Sequence, residues 1–312
     1  MPHPFRFGVV CGAGSREDLV ATAREAEQRG YATLAMTDHL DLSGAHTARL
    51  SWLPALAAAA MATTTLRLTT MVANQDLHHP AVLAREAASL DILSEGRFEL
   101  GLGAGWNPVE YAWAGMTLDP PGVRIARLAE YTEVVLGLLD AADAPFSFEG
   151  GHFRIAGMPR LPHPVQRPVP LMLGGAQRRM IELAARTADI VNLLTLRDTA
   201  SADEVYAEKL GWVRSAAPER DPEIASPVVL VATAADDPVE AVEVALPHSP
   251  FAQHVAQSNS LESIARAPHV LAGSPARIVD ELHRRRDSFG VSYYLVPDGS
   301  MRDLQPVLDA LA

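Results

Sequence analysis

The fold is decided by residues 66–107, LRLTTMVANQDLHHPAVLAREAASLDILSEGRFELGLGAGWN. Leu66–Ala73 is apolar and rich in Thr and Val, without helical spacing, and reads as a strand buried on both faces. Asn74–His79 is a polar loop. Pro80–Ser94 carries proline at a first-turn position and is followed by Gly96, the usual start and stop marks of a helix. Phe98–Gly103 is a second apolar run, continued by the turn Gly101-Leu-Gly-Ala-Gly-Trp-Asn107. Strand, loop, helix and strand make one βαβ unit, and strands joined by a crossover helix run parallel.

The alternation continues on both sides. Phe5–Val10 is a strand ending in Cys11-Gly-Ala-Gly14. Ser15 caps a helix to Arg29, with Glu17 and Asp18 in its first turn. Thr33–Met36 is the second strand and Ala48–Thr63 an Ala-rich helix. Beyond the central stretch come helix Arg124–Asp140, strand Leu171–Leu173, helix Gln177–Thr187 and strand Ile190–Leu194. Then follow helix Ala202–Ser215, strand Pro227–Thr233, helix Pro275–Asp287 capped by Ser274, strand Val291–Val296 and helix Arg302–Leu311. Eight strands alternating with helices predict an α/β fold, a (β/α)8 TIM barrel formed as one domain over residues 1–312. Insertions are expected around 141–170, where a hairpin fits, and around 238–272, a helical stretch with a loop near Pro247–Asn259. An open doubly wound sheet is the alternative topology.

Bulk properties narrow the function. The net charge of −12 argues against a nucleic-acid partner or an anionic membrane surface. One cysteine, Cys11, excludes a disulfide framework and a cysteine zinc site. The one lysine, Lys209, stands in a helix-like stretch, away from the positions that Schiff-base and P-loop chemistry need. No secretory leader pattern and no long apolar run occur, so a cytoplasmic location is expected.

In a (β/α)8 barrel the chemistry sits at the C-terminal strand ends. Asp38 and His39 follow strand two directly. A histidine there, beside a carboxylate, suits proton transfer, although a solvated loop dipeptide looks the same in sequence. Gly101-x-Gly103-x-Gly105 departs from a dinucleotide fingerprint, because Trp106 stands at the sixth position and Pro108 follows. These glycines would let a strand end approach a flat ring, or would serve tight packing. Trp106 would line an apolar pocket or fill the core. Gly174-Gly-Ala-Gln177 opens a helix after a strand, which makes a phosphate site or an ordinary βα turn. Arg178 and Arg179 add positive charge there. His78 and His79 are adjacent, so they diverge, and no metal site is expected.

Taken together, Thr37-Asp-His39, Leu68-Thr-Thr-Met-Val-Ala-Asn74 and His79-Pro-Ala-Val-Leu-Ala-Arg85 carry a family resemblance. So do Gly96-Arg-Phe-Glu-Leu-Gly-Leu-Gly-Ala-Gly-Trp-Asn107 with Glu110, Pro168-Val-Pro-Leu-Met-Leu-Gly-Gly175 and Ala272-Gly-Ser-Pro275. The chain resembles the bacterial luciferase-like monooxygenase superfamily, and within it the coenzyme F420-dependent oxidoreductases. The resemblance implies a deazaflavin or flavin across the strand ends and a non-prolyl cis peptide on strand three, at Thr70–Met71 by motif position. It implies a cofactor site built from Thr70, Met71, Asn74, Gly103, Gly105, Trp106 and Asn107, with the phosphate at Gly174, Gly175, Ala176 and Gln177. His39, oriented by Asp38, would handle the proton while F420 exchanges hydride with a small-molecule, fairly apolar substrate. A homodimer is implied as well. The alternatives are an FMN-dependent monooxygenase that uses O2 and a partner flavin reductase, and a non-catalytic cofactor-binding barrel.

Overall fold

The computed structural model describes residues 2–40, 49–140, 144–159, 161–195, 200–249, 253, 256–257 and 259–312. In chain order the first half holds β1 (Arg6–Val10), α1 (Arg16–Gln28), β2 (Thr33–Met36), α2 (Trp52–Ala62), β3 (Arg67–Thr70), β4 (Ala73–Asn74), α3 (Pro80–Leu93) and β5 (Phe98–Gly103). Then come α4 (Pro108–Trp113), α5 (Pro121–Asp140), β6 (Phe146–Glu149), β7 (Arg154–Met158), β8 (Leu171–Gly175), α6 (Arg178–Thr187) and β9 (Ile190–Leu193). The chain continues with α7 (Ala202–Ala216), β10 (Glu223–Pro227), β11 (Leu230–Ala232), α8 (Pro238–Ala245), α9 (Leu261–Ala265) and β12 (Val270–Ala272). It ends with α10 (Pro275–Phe289), β13 (Val291–Pro297) and α11 (Met301–Leu311). The expected helix start at Ala48 and part of the loop expected near Pro247–Asn259 lie outside the described residues.

The chain divides into two compact units, one of Gly12–Arg24 and Ala35–Leu173, the other of Met1–Cys11, Glu25–Leu34 and Gly174–Ala312. In the first, β5 is central and fully buried. It pairs in parallel with β8 through Leu100↔Leu171 and Leu102↔Leu173, and on its other edge with β3 and then β4. The strand expected as Leu66–Ala73 is therefore two segments. Thr69 pairs with Glu99 and Ala73 with Leu102, so four steps along one strand match three along the other. One extra residue is accommodated, as in a bulge.

The non-prolyl cis peptide lies at Met71–Val72, one residue beyond the expected Thr70–Met71. The hydrogen bonds explain the offset. Thr70 Oγ1 donates to Gly101 O at 2.7 Å and accepts from Gly101 N at 2.9 Å, and Met71 N donates to Met36 O at 2.8 Å. Both residues are still held by neighbouring strands, so the chain departs only after Met71. A second cis bond precedes Pro168. Residues 146–158 form the expected antiparallel hairpin, and Glu130 of α5 accepts the N–H groups of Gly151, His152 and Phe153 at its tip.

In the second unit β1 pairs with β13, β13 with β10 and β10 with β9, all in parallel. The seventh strand is thus Glu223–Pro227, not Pro227–Thr233. Leu230–Ala232 instead pairs with Val270–Ala272 in a separate two-stranded sheet, beneath which Ala241, Val242 and Ile264 of α8 and α9 form a small core. Glu223 hides the true strand in sequence because a carboxylate looks unfit for a buried position. Here Arg6 meets it at 2.6 Å, and the Arg6 guanidinium also lies 4.3 Å from the centre of the Tyr293 ring.

Candidate active site

The strand-end residues of the first unit come together at the end of β2. Asp38 and His39 follow β2 directly and take different partners. Asp38 does not orient His39, contrary to the expectation. Its Oδ2 accepts the backbone N–H of Asn74 and lies 2.8 Å from His78 Nε2. Trp52 Nε1 is 3.4 Å from the same nitrogen, a long approach that the Asp38 bond outranks. Burial pulls the His78 pKa down, but the hydrogen bond and charge of Asp38 outweigh it, and the net shift is upward.

The carboxylate that serves His39 is Glu110, from α4. His39 Nδ1 lies 2.8 Å from Glu110 Oε2. A carboxylate only accepts, so this partner assigns the hydrogen to Nδ1 and leaves Nε2 as the working nitrogen. Both side chains are largely enclosed, His39 at 18% and Glu110 at 9% exposure. Trp106 packs edge-on against the imidazole, with ring centres 5.7 Å apart. Trp106 itself is 46% exposed, as are Leu40, Val109 and Trp113 at about half. Exposed apolar side chains thus adjoin both members of the pair in sequence, Leu40 next to His39 and Val109 next to Glu110, which suits proton transfer to a mainly apolar substrate.

Helix α4 was missing from the sequence reading, and with it the role of Glu110. The signal was present. Asn107 is the N-cap and accepts from Val109 N at 3.2 Å, Pro108 stands at the first helical position, and Glu110 falls in the first turn. Asn107 thus spends its side-chain oxygen on the cap. Asn74 Oδ1 accepts from Asp76 N and lies 3.2 Å from the Tyr111 hydroxyl oxygen, while its Nδ2 has no hydrogen-bond partner among the described residues. The one hydroxyl hydrogen of Tyr111 goes to the shorter contact, Asp76 Oδ2 at 2.6 Å. Burial first, and then this bond, push the phenol well above its ordinary pKa, so it remains a donor.

The glycines at the end of β5 and in the turn after it answer to protein neighbours. A Cβ on Gly101 would fall 1.9 Å from Thr70 O, and one on Gly103 would fall 2.5 Å from Val72 Cγ2. Gly105 has φ +70° and would press a Cβ to 2.0 Å from the Tyr111 hydroxyl. Arg124 of α5 then ties the turn down by donating to the carbonyls of Ala104 and Gly105. Each of these three glycines is therefore closed over by a protein neighbour, and the Gly105 turn lies against Asn74.

In the other unit, Gly174 and Gly175 end β8, and Ala176 leads to Gln177, the N-cap of α6, whose side chain makes no capping bond. Gly175 must be glycine, since a Cβ would meet Met180 Cγ at 2.2 Å. Gly175 O accepts from Leu194 N at 2.9 Å, and Ala176 O accepts from Lys209 Nζ at 2.7 Å. The N–H groups of Ala176 and Gln177 have no acceptor among the described residues. Arg178 is paired with Glu182 at 2.7 Å. His79 caps α3 by accepting from Ala81 N, so His78 and His79 do separate tasks. Among the described residues no group of three or more His, Cys, Asp or Glu side chains is placed to hold a metal, and no helix is long and apolar enough to cross a membrane.

The sequence model of the luciferase-like monooxygenase family matches residues 3–292. Among curated proteins, the uncharacterized protein Rv0953c of Mycobacterium tuberculosis strain H37Rv is 33% identical over 187 residues, covering 54% of this chain and 64% of that protein. The uncharacterized protein Mb0978c of Mycobacterium bovis matches to the same extent. The matched region therefore spans somewhat under two thirds of these relatives. Among solved structures, an F420-dependent secondary alcohol dehydrogenase in complex with an F420-acetone adduct superposes with TM-score 0.81 at 19% identity, over 99% of this chain and 100% of that one. The long-chain alkane monooxygenase LadA superposes with TM-score 0.81 at 16% identity, over 100% and 92%. Identities this low speak to the fold, a (β/α)8 barrel with insertions of the bacterial luciferase-like kind. With the family model covering most of its length, the chain belongs to the luciferase-like monooxygenase family.

Proposed function

We propose that this protein is a cytoplasmic F420-dependent oxidoreductase that moves a hydride between the deazaflavin and a small, mainly apolar organic substrate. The observation that carries the reading is the His39–Glu110 pair beneath Trp106. Hydride transfer to an unsaturated bond takes up a proton at the neighbouring atom, and transfer from its saturated counterpart releases one; His39 Nε2, which has no hydrogen-bond partner among the described residues, is the nitrogen to give or take it. Glu110 holds the ring and stabilises it when charged. Asp38 shapes the site indirectly, by fixing Asn74 and His78. F420, when bound, would give or take the hydride at C5 of its ring.

Each unit, taken by itself, carries residues that fit one part of a flat, phosphate-bearing group. In the first unit Asn74 Nδ2, which has no hydrogen-bond partner among the described residues, offers a donor beside the Gly105 turn. Thr70 and Met71 support the bulge, and Trp106 with Asn107 closes the turn. In the other unit the N–H groups of Ala176 and Gln177, which have no acceptor among the described residues, follow Gly174 and Gly175 and offer phosphate donors at the start of a helix. FMN is the second reading. The pairing of Arg178 with Glu182 leaves less charge for an anionic F420 tail, and monooxygenases are among the structural neighbours. That reading would need O2 and a flavin reductase as partner.

The protein is also proposed to be a homodimer. The outer faces of α2 and α3 leave an apolar groove of about 480 Å³ lined by Leu53, Ala57, Val82 and Leu93, with Met61 75% exposed on the same helix α2. Leu93→Glu is expected to convert a dimer to a monomer by light scattering.

The deciding experiment titrates purified apo-protein with F420 and with FMN, followed by fluorescence. Tight binding of F420 and not FMN is the expected result. Binding of FMN alone moves the protein to the monooxygenase reading, and binding of neither leaves a barrel that holds no such cofactor.

A further inference from the structure

The single lysine of the chain is among its most enclosed charges. Lys209 on α7 is only 2% exposed. Taking an ammonium out of water costs several kcal/mol unless the protein compensates it. Its Nζ donates to Ala176 O at 2.7 Å and lies 5.7 Å from the centre of the Trp212 ring. The carbonyl it holds belongs to the turn between β8 and α6.

The peptide unit is planar and trans, so the C=O of one residue and the N–H of the next point in opposite directions. Lys209 pulls the Ala176 carbonyl to one side and thereby presents the Gln177 N–H to the other. Leu194 N does the same one residue earlier, holding Gly175 O and presenting the Ala176 N–H. Two successive peptides are thus clamped by their carbonyls, and both released N–H groups lack an acceptor among the described residues. Successive free N–H groups before a helix form an anion-binding concavity. A neutral donor could hold a carbonyl as well. A buried ammonium adds a full positive charge where solvent screens it poorly.

We infer that Lys209 is a positioning residue of the phosphate site: it aims the Gln177 N–H through the Ala176 carbonyl and supplies a buried positive charge to a bound phosphate ester. The inference rests on the assignment of this turn to the cofactor phosphate.

Because there is one lysine, lysine-selective ¹⁵N labelling gives one Nζ resonance. That resonance is expected to shift on saturation with F420 or FMN, whichever binds, and with inorganic phosphate alone. Lys209→Met removes donor and charge, and is expected to raise the cofactor Kd at least tenfold. Lys209→Gln keeps a donor for Ala176 without the charge, and is expected to recover part of that loss. Should the Met variant fail to fold, the Gln variant and the wild-type resonance decide. An Nζ resonance unmoved by F420, FMN and phosphate, or a Gln variant that binds as tightly as wild type with the resonance unmoved, overturns the inference. If wild type binds neither F420 nor FMN the cofactor reading fails by itself, and the response to inorganic phosphate then decides for or against Lys209.

Discussion

His39 Nδ1 and Glu110 Oε2 meet at 2.8 Å across 71 residues of sequence. This bond fixes which imidazole nitrogen is available for chemistry. His39→Ala is expected to slow turnover by about 10²–10⁴-fold, the usual worth of a general acid or base, with cofactor affinity unchanged. Glu110→Gln keeps an acceptor for Nδ1 and loses the charge, whereas Glu110→Ala loses both. Turnover should therefore fall in the order wild type, Gln, Ala. Equal rates for wild type and Glu110→Ala would remove the pair from the mechanism.

The glycines at 101 and 103 face different obstacles. At Gly101 the obstacle is the Thr70 backbone, which cannot rotate away, and at Gly103 it is the tip of the Val72 side chain. Gly101→Ala should destabilise by about 3 kcal/mol or more, and Gly103→Ala by about 1–2 kcal/mol. Val72→Ala should relieve the second and not the first. Denaturant unfolding of the three single variants and of the two double variants that combine Val72→Ala with each glycine substitution reads this out.

Thr70 makes two buried hydrogen bonds to one residue, Gly101. Thr70→Val keeps the shape and strands both backbone groups, at a cost of about 1–3 kcal/mol for each unsatisfied group. Thr70→Ser should recover most of the stability. Equal melting temperatures for Val and Ser would show that the bulge does not depend on these bonds.

His78 carries a raised pKa from Asp38. A group whose pKa is higher when folded stabilises most below its unfolded value, about 6.5 for histidine, and the contribution disappears as pH rises through the folded value. The melting-temperature gap between wild type and His78→Gln is therefore expected to be widest near pH 6 and to narrow toward pH 8.5. A gap independent of pH would mean that the ion pair contributes nothing.

Gly175 is a poor place to test the phosphate turn, because any side chain there collides with Met180. Gln177 is exposed and caps α6 without a side-chain bond. Gln177→Glu puts a carboxylate at a helix N-terminus, where it favours the helix and opposes a phosphate. The expected outcome is an unchanged or higher melting temperature with cofactor affinity reduced about tenfold. Undiminished affinity would place the phosphate elsewhere.

What the sequence determined by itself was local. Strand β5 and helix α3 could be read at their observed positions because an apolar run and a proline-to-glycine frame act over a few residues. The glycine turn was visible for the same reason, although its neighbours were not. Tertiary structure alone decided which groups meet. Asp38 adjoins His39 in sequence yet serves His78 and Asn74, and the partner of His39, Glu110, arrives from a separate helix, because side chains pair by distance in space and not along the chain. Glu223 became a buried strand residue only because Arg6, 217 residues away, neutralises it. Lys209, a helix residue in sequence, is brought by folding to a carbonyl 33 residues distant, since the balance of a buried charge depends on partners that only the packed chain supplies.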